Sequence, residues 1–145
     1  MKIAIITISI LTGLYLFFVR PANDDVRDKL KLIKTELKQM GYNPKWFIIS
    51  GRRDKFLTKI SYNNSKKFSY HMVGKAIDIE VIDIDGDWDF DEQDIQIFKK
   101  ANKIVESKYP NLTGCVGTYR VGKKDIIERH QIHIDTRGYS KTYNH

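Results

Sequence analysis

Lys75-Ala76-Ile77-Asp78-Ile79-Glu80-Val81-Ile82 alternates with a period of two, so that Ala76, Asp78 and Glu80 share one face and Ile77, Ile79 and Val81 the other. The alternation predicts a strand with an apolar layer behind it and a polar cleft in front. A carboxylate in such a strand is costly to bury unless a cation or hydrogen-bond donors meet it. Asp78 therefore needs partners that the strand itself does not supply.

Those partners are found on either side. Downstream, His130-Gln131-Ile132-His133-Ile134-Asp135 repeats the pattern, with His133 and Asp135 on one face and Ile132 and Ile134 on the other. Pairing the two strands brings their polar faces together. Upstream, His71 is separated from the Asp78 strand by Gly74, which permits the chain to turn back toward the carboxylate. Two imidazoles and one carboxylate suit zinc and leave a fourth tetrahedral position open, as in catalytic rather than structural sites. His71, Asp78 and His133 are the expected zinc ligands.

Further out, Asn23 or Asp24 can cap a helix whose apolar positions Val26, Leu30, Ile33, Leu37 and Met40 recur at steps of four and three, with Gly41 as its stop. Trp46 to Ile49 reads as a short buried strand ended by Ser50-Gly51, and the polar, basic stretch 52–68 as a surface loop over a site. A second amphipathic helix is expected over 91–107, with Ile95, Phe98, Ala101, Ile104 and Val105 on one side and acids at its start. These elements predict one α+β domain over 21–145, a small antiparallel sheet carrying the zinc site and flanked by helices.

Ile3 to Val19 is almost uninterrupted apolar sequence between Lys2 and Arg20, which predicts a signal peptide or membrane anchor over 1–20 and an exported protein of the periplasm or cell envelope. Cys115 is the single cysteine, so no intrachain disulfide forms, and its apolar strand makes it a small buried residue without chemistry. The net charge of +7 and pI near 9.4 favour anionic neighbours. In an exported protein these are wall polymers, peptidoglycan or lipid headgroups rather than nucleic acid.

Four elements carry a family resemblance. Ser69 to Asp78 has the pattern S-x-H-x-x-G-x-A-x-D, and His133 to Gly138 the pattern H-x-D-x-R-G. Ser50 to Arg53 resembles an S-G-x-R element, and Gly114 to Tyr119 a G-G-x-G-x-Y strand. Together they resemble the superfamily of zinc D-alanyl-D-alanine carboxypeptidases and dipeptidases, phage peptidoglycan endopeptidases and the hedgehog signalling domain, the nearest branch being the periplasmic murein endopeptidases. The resemblance implies zinc on His71, Asp78 and His133, a substrate carboxylate held by Arg53, a substrate contact from Ser69, and hydrolysis of peptide bonds in peptidoglycan stems or cross-links.

The chain departs from that pattern at the general base. Related enzymes usually carry Glu or Asp three residues before the last histidine ligand, where this chain has His130; Glu128 lies two residues earlier. His130 can accept a proton from water, but it lies an odd number of residues from His133, so a regular strand would turn it to the opposite face. His130 is placed ahead of Glu128 as the candidate base. Loss of the base would make the domain a catalytically inactive zinc-containing envelope-binding module.

Residues 83–94, Asp83-Ile84-Asp85-Gly86-Asp87-Trp88-Asp89-Phe90-Asp91-Glu92-Gln93-Asp94, form a second motif. Read as a twelve-residue calcium loop resembling an EF-hand or dockerin loop, it places Asp83, Asp85, Asp87 and Asp94 at positions one, three, five and twelve. Trp88 stands at position six, where glycine normally permits the sharp turn, so an unfavourable backbone conformation is expected there. The simpler alternative is an acidic turn capping the next helix; if calcium binding were the functional part, the chain would be a calcium-dependent interaction protein.

Overall fold

The computed structural model describes residues 21–53, 68–119 and 130–144. The expected export segment at 1–20, most of the loop at 52–68 and the candidate base Glu128 lie outside the described residues. Among the described residues no helix is long and apolar enough to cross a membrane.

Helix α1 spans Asp24–Gln39 and buries Val26, Leu30, Ile33 and Leu37. Asn23 holds the N-cap position but its side chain does not cap; its amide instead donates to Val73 O, and its backbone N–H to Gly74 O. The helix start is thereby tied to the turn that carries His71. At the other end Gly41, at φ +92°, lets the chain leave the helix. Helix α2 spans Glu92–Lys108, with Asp91 as a true cap accepting from the backbone N–H of Gln93 and Asp94.

Five strands follow the order β1-β2-β4-β3-β5: β1 Lys45–Ser50, β2 Ala76–Asp83, β3 Cys115–Tyr119, β4 Gln131–Asp135 and β5 Lys141–Asn144. The first three pairings in that order are antiparallel, but β5 lies parallel to β3, so the sheet is mixed rather than antiparallel throughout. The cause is a single reversal after β4 that carries the chain past β3 to its outer edge. Both β3 and β5 then oppose β4 and must run the same way.

Ile77, Ile79 and Val81 from β2 and Ile132 and Ile134 from β4 pack beneath the helices with Val26, Ile33, Leu37, Ile95, Phe98 and Val105. This apolar layer leaves the alternate side chains of β2 and β4 for the opposite face, as the period-two pattern requires. A charged side chain enters the layer from α1. Lys29 is wholly buried, and its ammonium donates to Glu106 Oε1 at 2.8 Å and to Asp135 O at 2.9 Å.

Candidate metal centre

Strand register builds the centre. Ser50 pairs with Asp78, Asp78 with His133, His133 with Gly117 and Gly117 with Tyr143, a single transverse row through all five strands. Laterally paired residues project to the same face, so Asp78 and His133 emerge side by side. His71 reaches them from a 3-10 turn at Tyr70–Val73 that ends at Gly74, whose φ of +75° is the left-handed conformation a tight reversal needs.

Three donor atoms converge there. His71 Nε2 lies 3.2 Å from Asp78 Oδ1 and 3.2 Å from His133 Nδ1, and His133 Nδ1 lies 2.8 Å from Asp78 Oδ1. Ligands about 2.0–2.1 Å from a tetrahedral zinc stand about 3.3 Å from each other, so the triangle is close to the size such an ion requires. All three side chains are buried.

The outer atoms settle the orientation of each ligand. His71 Nδ1 faces Gly51 O at 2.7 Å, and His133 Nε2 faces Asp135 Oδ2 at 3.3 Å. With those nitrogens as donors, the inward nitrogens would offer lone pairs to a bound cation; without one they hydrogen-bond Asp78. Asp135 is itself fixed: it accepts from Arg137 and from the Cys115 backbone N–H. Asp78 Oδ2 accepts from Arg53, whose Nε also donates to Ser50 Oγ at 2.6 Å.

These contacts set the charges. Burial opposes ionisation of Asp78, but hydrogen bonds and charge from His133 and His71 outweigh it and hold the carboxyl well below the usual range. Burial likewise disfavours a charged His133, yet the Asp135 and Asp78 carboxylates reverse the balance and raise its pKa. Cys115 lies apart in this chemistry: it is buried and its thiol is pushed up to about 11, as an inert core residue's is.

Of the other expected site residues, Arg53 directs two donors to Asp78 and Ser50, and Ser69 is buried at the start of the turn carrying His71. His130 sits just before β4, its ring 5.4 Å from that of Phe90, a member of the apolar core, and it is not among the three converging ligands. Its backbone O accepts from Val81, and its N–H donates to Glu80 Oε1 at 3.4 Å.

Sequence reasoning missed Tyr143. Its ring centroid lies 6.0 Å from that of His133, and its hydroxyl 3.1 Å from that of Tyr119. A Cβ on Gly117 would collide with the Tyr143 ring, so the glycine is the gap through which the tyrosine leans toward the ligand row. Burial and the Tyr119 hydroxyl keep Tyr143 protonated, a hydrogen-bond donor at all ordinary pH. Gly117, two residues before Tyr119, was the available signal, but its tenant Tyr143 comes from a strand that the spacing does not point to.

In the second motif, Asp83, Asp85 and Asp87 are brought together, and Trp88 takes a φ of +69°, the left-handed backbone expected of it. Asp94 turns back on the loop, accepting from the backbone N–H of Ile84 and Asp85. Burial pushes its carboxyl up to about 6. The helix-capping role falls to Asp91.

Against family models, characterised proteins and solved structures, the chain finds no match. The chain carries a His/Asp group that could hold a metal ion on a small α+β scaffold.

Proposed function

We propose that the protein is a zinc-dependent peptidase that hydrolyses peptide bonds in peptidoglycan stem peptides or cross-links. The observation that carries this reading is the triangle His71 Nε2, Asp78 Oδ1 and His133 Nδ1, with both outer imidazole nitrogens tied to acceptors. Three protein ligands are the number that leaves a catalytic position open, and the donor set of two nitrogens and one oxygen suits zinc. Zinc in such a site supplies electrophilic polarisation of a carbonyl and acidification of water.

The chain's own residues account for the rest. Gly51 O and Asp135 hold the two imidazoles in the tautomers that face inward. Arg53 braces Asp78 and lies at the edge of the ligand row, where a guanidinium also suits the terminal carboxylate of a peptide. The Tyr143 hydroxyl, which also meets that of Tyr119, is the candidate donor to developing negative charge on the scissile carbonyl oxygen. Glu80 shares the β2 face of Asp78 and joins His130 and Glu128 as a group that can take up a proton.

A second reading, a zinc-containing envelope module that binds without cutting, is favoured by one observation: His130, at the position of the usual acidic base, packs on Phe90. Incubation of the zinc-loaded protein with purified muropeptides separates the two. New stem-peptide fragments that disappear in His71→Ala and with a zinc-selective chelator support the peptidase. One equivalent of bound zinc without cleavage between pH 5 and about 9 refutes it in favour of the binding module.

A further inference from the structure

The loop between β2 and α2 has no part in the zinc chemistry. Asp83, Asp85 and Asp87 each offer an oxygen within 4.8 Å of the others, so three carboxylates crowd one small volume. Among the described residues Lys45 is the cation that meets it: its ammonium lies 2.8 Å from Asp83 Oδ2 and 3.6 Å from the Trp88 ring centroid. One ammonium on one of three carboxylates leaves the cluster with excess negative charge.

Asp94, which lies outside that group of three, gives a second and independent observation. It is 1% exposed, and its Oδ1 accepts from Ile84 and Asp85 at 3.2 and 3.1 Å, which turns the carboxylate onto the loop backbone. Its Oδ2 is buried with no hydrogen-bond partner. A buried carboxylate oxygen without a donor is costly, and a metal ion relieves that cost. Asp94 is also twelfth counting from Asp83, the place from which such loops return a carboxylate to the ion.

We propose that residues 83–94 form a calcium site, with Asp83, Asp85, Asp87 and Asp94 as carboxylate ligands, and that Lys45 is the cation Asp83 holds when calcium is absent. The donors are all hard oxygens, which favours calcium over zinc and separates this site chemically from the His71 centre. Trp88 at φ +69° replaces the glycine that would make the turn without strain, so binding falls in the weak range of about 10⁻⁴–10⁻³ M typical of extracellular calcium modules. Calcium here would join the end of β2, the strand carrying Asp78, to the first turn of α2.

Trp88 supplies the assay, because it is 72% exposed within the loop and can transfer excitation to bound terbium. Terbium emission excited through tryptophan is measured on the full chain and displaced with calcium, alongside melting temperature against calcium concentration. The expected result is one saturable site, calcium displacement in the 10⁻⁴–10⁻³ M range and a rising melting temperature. Asp85→Asn/Asp87→Asn should weaken binding at least tenfold, and Asp87→Asn alone, on an exposed side chain, at least threefold. Trp88→Gly, followed by melting, and Lys45→Met should both tighten calcium binding.

His71→Ala should lose zinc yet keep the terbium signal, which separates failure of this site from failure of the peptidase reading. The proposal is overturned by no saturable emission and no melting shift up to about 10 mM calcium. It is equally overturned if Asp87→Asn and the double variant bind like the parent, or if the signal vanishes in His71→Ala while that variant remains folded.

Discussion

Lys29→Met tests the link between the helices and the candidate metal centre. The ammonium of this wholly buried residue meets Glu106 Oε1 at 2.8 Å and the backbone O of Asp135 at 2.9 Å, while Glu106 Oε1 also accepts from Gly114 N–H at 3.0 Å. Burial lowers the Lys29 pKa, and the Glu106 hydrogen bond opposes that shift. Methionine fills much the same volume, so packing is kept, but it leaves a carboxylate that is only 11% exposed without its cation. Removing one partner of a buried pair costs about 3–5 kcal/mol, whereas removing both charges is far less costly.

Lys29→Met should therefore lose about 3–5 kcal/mol in urea denaturation with an unchanged m-value. At about 4 °C per kcal/mol for a domain of this size, the melting temperature falls by roughly 12–20 °C. In Lys29→Met/Glu106→Gln, the glutamine oxygen can still accept from Gly114, and only the lost donor to Asp135 O remains, a cost of about 1 kcal/mol. A single-variant loss below about 1 kcal/mol, or a double variant no more stable than the single, would refute the buried-pair account.

Asp135→Asn should weaken zinc binding by about 10–100-fold, measured by competition with a chromophoric chelator, because the outer acceptor that orients His133 loses its charge. Tyr143→Phe should bind zinc stoichiometrically yet cut muropeptides about 10²-fold more slowly; an unchanged kcat would remove the hydroxyl from the chemistry. Gly117→Ala should push the Tyr143 ring off the ligand row, seen as a change in near-ultraviolet tyrosine dichroism. In metal-free protein Asp94 holds its proton up to about pH 6, against 3.8 as the ordinary value, so the folded state binds more protons than the unfolded chain between those limits. Stability should then fall as pH rises through that window, by on the order of 2–3 kcal/mol; Asp94→Asn should flatten the slope, and an unchanged melting profile from pH 4 to 7 would contradict it.

The parts of this architecture that follow local rules were legible in the sequence. Period-two alternation placed Asp78 and His133 on matching faces, and they pair directly. The glycine at 74 and the tryptophan at position six of the acidic loop both take the left-handed backbone their positions demand. What escaped depends on remote neighbours. Lys29 lies between apolar helix positions but reads as a surface residue until Glu106 and Asp135 O arrive from other elements. β5 carries no clear alternation, and its parallel place beside β3 is decided by the route taken after β4. Arg53 directs donors to Asp78 and Ser50, a use visible only once β1 and β2 are paired.

The distance along the chain between the two histidine ligands has a consequence for when metal can be acquired. His71 and His133 are 62 residues apart, and the acceptor behind His133 is supplied by Asp135, itself held by Lys29 from the opposite end of the domain. During synthesis, a chain that has reached only β2 presents one imidazole and one carboxylate, too few to hold a metal ion in a three-ligand site. Occupancy of this centre would thus record completion of the fold, and a partially made or clipped domain would remain without its metal.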